Sequence, residues 1–152
     1  MVFMRLRRQK AFLVLILATV ACTGPSEPAS ISAQFILTDV DGRTLPAGSP
    51  PSVGTSGPTV ISGTMSLDLA GNAVTAEDRI NSDGTRVTLT THYVYTIKDV
   101  QITFADAFPC PINAVCASPP TGQILDNGLK AQLVFPPGYA FQIYDYRISA
   151  TP

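Results

Sequence analysis

The sequence predicts an all-β domain, most simply an antiparallel up-and-down β-barrel of about eight strands. Three observations lead there. Apolar residues recur with a period of two through most of residues 34–149. Asx-Gly pairs and a Pro-Pro-Gly turn punctuate that alternation at short intervals. No segment of this region carries a helical period.

Each element follows from its own residues. "QFILTDV" reads as a strand that ends at an Asp41-Gly42 turn. Residues 46–58, "PAGSPPSVGTSGP", are too rich in Pro, Ser and Gly for a strand and read as a long mobile loop. In "VISGTMSLDLA", Ile61, Met65, Leu67 and Leu69 share one face, opposite Ser62, Thr64, Ser66 and Asp68. That is the pattern of a half-buried antiparallel strand. Gly71-Asn72 breaks it, and "AVTAEDRI" alternates more weakly.

"NSDG" then turns the chain into "TRVTLTTHYVYTIK", where Val87, Leu89, Tyr93, Tyr95 and Ile97 share a face. That run is long for one strand, and a bend or bulge is expected near Thr91. After the Lys98-Asp99 turn, "VQITFA" presents Val100, Ile102 and Phe104. "GQIL", a "DNG" hairpin, "LKAQLVF", a "PPG" turn and "YAFQIYDYRIS" complete the region. Successive hairpins favour a barrel, because closure removes the edge strands that otherwise recruit neighbours. A β-sandwich is the alternative, although the chain has no tryptophan for the core of one.

Ahead of the domain lies a different kind of segment. Arg5, Arg7, Arg8 and Lys10 precede an apolar run over residues 11–22. Such a run is too short for a bilayer span, which needs about 20 residues. A basic stretch followed by a short apolar one is the form of a secretory signal peptide, here residues 1–21. The run ends in "TVAC", which resembles the lipobox of bacterial lipoproteins, with Thr19 where leucine is commonest. The resemblance implies diacylation of the Cys22 sulfur, cleavage before it and acylation of the new amine, with palmitate-class chains. Two or more chains make a stable membrane anchor. Thr23 in place of an aspartate after the cysteine points to the outer membrane. "TGPSEPAS" then reads as a flexible tether, so that residues 22–33 link the anchor to a single domain over 34–152. Ordinary signal cleavage, with Cys22 an unmodified thiol, is the alternative.

The cysteine count bears on the same question. Cys22, Cys110 and Cys116 make an odd number for an exported chain. A lipidated Cys22 leaves Cys110 and Cys116 to form a disulfide bond across "PCPINAVC" in an oxidising compartment. A redox pair or a metal site would be the alternatives. The spacing is not C-x-x-C, and His92 is the single histidine available as a further ligand.

Without the four basic residues of the leader, six basic residues face eleven acidic ones, a net charge near −5. Arg79, Arg86, Lys98, Lys130 and Arg147 are scattered, which argues against nucleic acid as a partner. Catalytic patterns are lacking. His92 sits on the polar side of its strand, and there is no nucleophile elbow or phosphate-cradling glycine loop. Asp39, Asp41, Asp83 and Asp126 flank turns and read as turn caps rather than as a calcium cage. The expectation is a protein that is not an enzyme and uses no cofactor.

Over residues 34–149 the order "FILTDVDGRTLPA", "VISGTMSLDLAGNAVT", "HYVYTIKDVQITFAD" and "YAFQIYDYRI" resembles small uncharacterised bacterial lipoproteins with a lipocalin-like barrel. That resemblance implies the fold and the anchor but no activity and no binding residues. Two functions fit. Either the barrel binds a small hydrophobic ligand, lined by Tyr93, Tyr95, Phe104, Phe141 and Tyr144, or it is a solid-cored structural or interaction protein of the cell envelope. In the second case those aromatics fill the core. Phe141 and Tyr144 differ in parity and cannot both point inward on one regular strand.

Overall fold

A computed structural model describes residues 30–48, 57–108 and 118–149. Cys22, Cys110, Cys116, the leader and the middle of the 46–58 stretch lie outside the described residues. Eight strands close the barrel: β1 (Ala33–Val40), β4 (Thr59–Leu67), β5 (Asn72–Ile80), β6 (Arg86–Lys98), β7 (Gln101–Asp106), β8 (Thr121–Leu125), β9 (Lys130–Val134) and β10 (Ile143–Ile148). Two short strands, β2 (Arg43–Thr44) and β3 (Ala47–Gly48), lie against the upper parts of β1 and β4. Every pairing between strands is antiparallel, and each barrel strand lies beside its successor in the ring.

Closure is made by β1, which pairs with β10 on one edge and with β4 on the other. The expected up-and-down barrel is thus the observed one. A single short 3-10 turn, Asp126–Gly128, is the only helical geometry among the described residues.

The turns use the residues that their backbone needs. Asp41 and Gly42 both hold positive φ, 48° and 70°, as a two-residue hairpin turn of this hand requires. Asp126, Asn127 and Gly128 do so at 50°, 55° and 92°. Register departs from expectation in two places. β6 runs unbroken from Arg86 to Lys98 in continuous register with β5, without the bulge expected near Thr91. The irregularities fall instead in β1, between Leu37 and Asp39, and in β4, between Val60 and Ser62. The β4 shift moves Val60 into the core in place of Ile61. Leu69 and Val100, expected on inner faces, are exposed in turns just outside their strands.

The lower half of the barrel is solid. Phe35, Met65, Leu67, Tyr95, Ile97, Ile102, Phe104, Ala131 and Leu133 pack inside it. Phe35, fully buried where β1 meets both of its neighbours, contributes about 2–3 kcal/mol through its burial alone. At the base, the Tyr95 hydroxyl accepts from the Ile31 N–H at 2.9 Å. The carbonyls of Ile31 and Asp68, at 2.7 and 2.8 Å, share its proton. This hydroxyl ties the incoming chain across the lower opening.

Packing is tight enough to need glycine where the walls meet. A Cβ at Gly122 would lie 2.6 Å from the Gln132 carbonyl, 2.7 Å from Leu133 and 2.8 Å from Ile102. Gly122→Ala is therefore expected to destabilise the fold by about 2 kcal/mol, read as a lower urea midpoint at unchanged slope. Tyr95→Phe leaves the Ile31 amide without its partner and is expected to cost about 1–2 kcal/mol. Hydrogen exchange at Ile31 should accelerate more than exchange in the strands.

Candidate functional site

Unequal strand lengths shape the upper half. The wall formed by β4, β5 and β6 uses strands of 9, 9 and 13 residues, whereas β7, β8 and β9 have 6, 5 and 5. β7 meets β6 only from Asp106 opposite Tyr93 downward, so the first half of β6 rises above its neighbour. Between the tall wall and the β9–β10 connection lies a cavity of about 640 Å³.

The floor and far side of the cavity are aromatic: Tyr93, Phe135, Tyr139, Tyr144 and Tyr146. Phe135 stacks at a tilt on Tyr139 and on Tyr144, with ring centroids 4.9 and 4.8 Å apart. The near wall is polar. Thr75, Glu77 and Arg79 of β5 face in, paired with Thr91, Leu89 and Val87 of β6. Asp106 enters from the top of β7.

Glu77 is the charged group placed deepest in this space, its side chain only 17 % exposed. The Tyr144 hydroxyl donates to its Oε2 at 2.8 Å. The Arg79 guanidinium stands 3.9 Å from Oε1, and its Nε donates to Asn81 Oδ1 at 3.2 Å. Desolvation raises the Glu77 pKa above its ordinary value, against the opposing pull of the Tyr144 hydrogen bond and of Arg79. Burial likewise pushes the Tyr93 hydroxyl up to about 12. Tyr144 and Tyr146 are raised too, first by burial and then by the nearby Glu77 carboxylate. These phenols remain neutral hydrogen-bonding groups throughout the physiological range.

Of the five aromatics expected to line a ligand site, Tyr93 and Tyr144 do so. Tyr95 and Phe104 lie on the same inner faces but below the cavity, in the packed half. Phe141 is buried outside it, edge-on to Tyr144 at 6.4 Å and beneath the Arg43 guanidinium at 5.7 Å from the ring centroid. Phe141 and Tyr144 are both buried because β10 begins only at Ile143. Strand parity therefore does not extend back to residue 141.

Sequence reasoning missed Glu77 and Arg79, because three of the four apolar residues of β5, Val74, Ala76 and Ile80, have the opposite parity, and only the small Ala73 shares theirs. Register decides otherwise. Ile80 pairs with Arg86 across the Asn81–Thr85 turn, so Glu77 stands opposite Leu89 and Thr75 opposite Thr91. Directly paired residues share a face, and the inward Tyr93 and Tyr95 pull the odd positions of β5 inward with them. The length of that turn was the available signal.

The other polar candidates have structural roles. Asp41 accepts from the N–H groups of Gln142 and Ile143, at 3.0 and 2.8 Å, and so caps the β9–β10 connection rather than its own turn. Asp83 accepts from the Thr85 N–H at 2.9 Å. His92, by contrast, is exposed among the residues that line the cavity and meets Phe108, another of them, edge-on at 6.4 Å. Among the described residues no group of three or more His, Cys, Asp or Glu side chains is placed to hold a metal ion.

No protein-family model, curated protein or solved structure matches the chain.

The raised Glu77 pKa has a signed consequence. The folded protein holds this proton more tightly than the unfolded chain, so stability falls as pH rises through the folded pKa. Glu77→Gln keeps an acceptor for Tyr144 and removes that dependence. The variant should gain in thermal midpoint over the parent on going from about pH 4 to about pH 7, and the gain should vanish at the acid end.

Proposed function

We propose that this chain is an exported, lipid-anchored protein of the cell envelope whose barrel binds a small hydrophobic ligand. The observation that carries the binding reading is the cavity of about 640 Å³ above the packed core. That volume falls within the roughly 300–1,000 Å³ of small-molecule sites. Its aromatic side offers contact to an apolar body, while Glu77, Arg79 and the tyrosine hydroxyls offer a few polar partners that can orient one end of it. A solid-cored envelope protein would not need short threonines opposite one another at positions 75 and 91, nor a carboxylate enclosed at 77.

The anchor reading rests on the basic leader, the short apolar run and the lipobox-like "TVAC". It gives the cavity a direction. The chain enters the barrel at the lower end, where Ile31 meets Tyr95, and the cavity lies at the opposite end. Acyl chains on Cys22 would hold the lower end toward the membrane and present the mouth to the aqueous side. Ligand exchange would then take place with that compartment and its soluble carriers.

Protein purified without detergent should carry a non-peptide mass in native mass spectrometry that organic extraction removes. The extracted protein should enhance the emission of N-phenyl-1-naphthylamine, an uncharged apolar probe. Thr75→Phe combined with Thr91→Phe fills the cavity from the tall wall and should abolish that enhancement while the cooperative unfolding transition is kept. Probe binding unaffected by the double substitution, or extracted protein that never binds the probe, would exclude this cavity as the site.

A further inference from the structure

In an up-and-down barrel alternate connections emerge at opposite ends, and here the two ends differ in chemistry. The lower end gathers residues 30–32 and three turns: 68–71 between β4 and β5, 99–100 between β6 and β7, and 126–129 between β8 and β9. Each of these turns carries one exposed large aliphatic side chain. Among the described residues, four large apolar side chains are more than half exposed: Phe108 at 73 %, Leu69 at 71 %, Leu129 at 58 % and Val100 at 54 %. Three of the four are the tips of the lower turns. At the upper end, the Asp41-Gly42 and Asn81–Thr85 turns are polar, the β9–β10 connection turns Phe135 and Phe141 inward, and the exposed Phe108, just past the top of β7, stands against His92 at the cavity.

The lower turns are held firmly. The Tyr95 N–H donates to the Gly71 carbonyl at 2.7 Å, the Ile124 N–H to the Val100 carbonyl at 2.8 Å and the Ile148 N–H to the Leu129 carbonyl at 2.9 Å. Each tip is thereby fastened to a neighbouring strand and projects from a rigid base. The charges beside the tips nearly balance, three carboxylates (Asp68, Asp99 and Asp126) against two lysines (Lys98 and Lys130). Asp68 accepts from the backbone and side-chain N–H groups of Asn72, at 2.8 and 2.9 Å. Asp126 pairs with Lys130, and Lys98 adjoins Asp99.

We propose that the lower end is a membrane-contacting face, with Leu69, Val100 and Leu129 entering the headgroup boundary of a lipid bilayer. The path of the chain argues for this occupant. Cys22 lies eight residues before Ser30, a span of at most about 29 Å, and the chain reaches the barrel at this same end. An anchor at Cys22 holds these three tips against the surface. The near balance of charge makes the contact apolar, so zwitterionic lipid suffices. Cys22 acylation belongs to the function proposed above, and the test separates the two.

The chain contains no tryptophan, so one introduced indole is a unique reporter. Leu69→Trp, Val100→Trp and Leu129→Trp would be made singly in the full-length gene, with Ser82→Trp as the upper-end counterpart. The processed proteins would be mixed with phosphatidylcholine vesicles containing brominated acyl chains. Tryptophan at 69, 100 and 129 should shift to the blue and lose most of its emission, while tryptophan at 82 should do neither. Lower-end reporters that stay unshifted and unquenched, or quench no more than residue 82, would overturn the membrane-contacting face. The mass of the N-terminal peptide reports Cys22 independently. Acylated Cys22 with silent tips defeats this inference alone, whereas unmodified Cys22 with quenched tips supports it and removes the anchor.

Discussion

β1 has to serve two partners at once, and the barrel depends on its doing so. Ala33 to Ile36 pair with Leu67 to Thr64 of β4, while Phe35 to Val40 pair with Ile148 to Tyr144 of β10. A meander whose first strand paired on one side only would be an open sheet with two exposed edges. With both edges of β1 occupied, every second residue around the ring is committed to an enclosed interior. That commitment is what turns a period-two pattern into a core. It also reaches residues whose own chemistry would not have put them there.

Pairing between β1 and β4 covers only their lower parts, and bulges at Thr38 and Ile61 let the strands part above it. The small strands β2 and β3 occupy the space so opened: β2 pairs with Asp39 and Val40, and β3 with Thr59 and Val60. The Arg43 guanidinium bonds to the Gly48 carbonyl across this corner and covers the Phe141 ring. On the far side β7 to β9 stop short, and nothing of the same height faces the upper part of β6 among the described residues. The lower half can thus fill itself with Phe, Tyr, Met and Leu, while the upper half encloses space. A polar β5 is tolerated because Glu77 has a hydroxyl partner and a guanidinium nearby. A buried carboxylate without them would cost several kcal/mol.

The same topology gives the molecule a polarity. Tyr95 closes the end at which the chain enters, and the aliphatic tips of three turns surround that closure. The cavity and the polar turns occupy the other end. The binding and the attachment proposed above would thus fall at opposite ends of one small barrel, and neither would need the barrel to open or change shape for the other.

Local residue order was enough for the strands, the turns and the fold class, because alternation and positive-φ turn residues act over a few neighbours. Asp41-Gly42, the Asp126–Gly128 turn and the Tyr93, Tyr95, Ile97 face were legible for that reason, as were Tyr93 and Tyr144 as cavity residues. The basic stretch, the short apolar run and "TVAC" are likewise local patterns, and the leader and anchor proposed from them require no fold. Tertiary structure alone decided the inward turn of Glu77 and Arg79, the packing of Tyr95 and Phe104 below the cavity rather than beside it, and the burial of Phe141 ahead of its strand. It also decided that Leu69 and Val100 lie at turn tips instead of in the core. Each of these depends on where a strand stops or which residue it meets across a hairpin. A shift of one residue reverses the face of every side chain that follows, and the register that settles it comes from pairing between strands far apart in the chain.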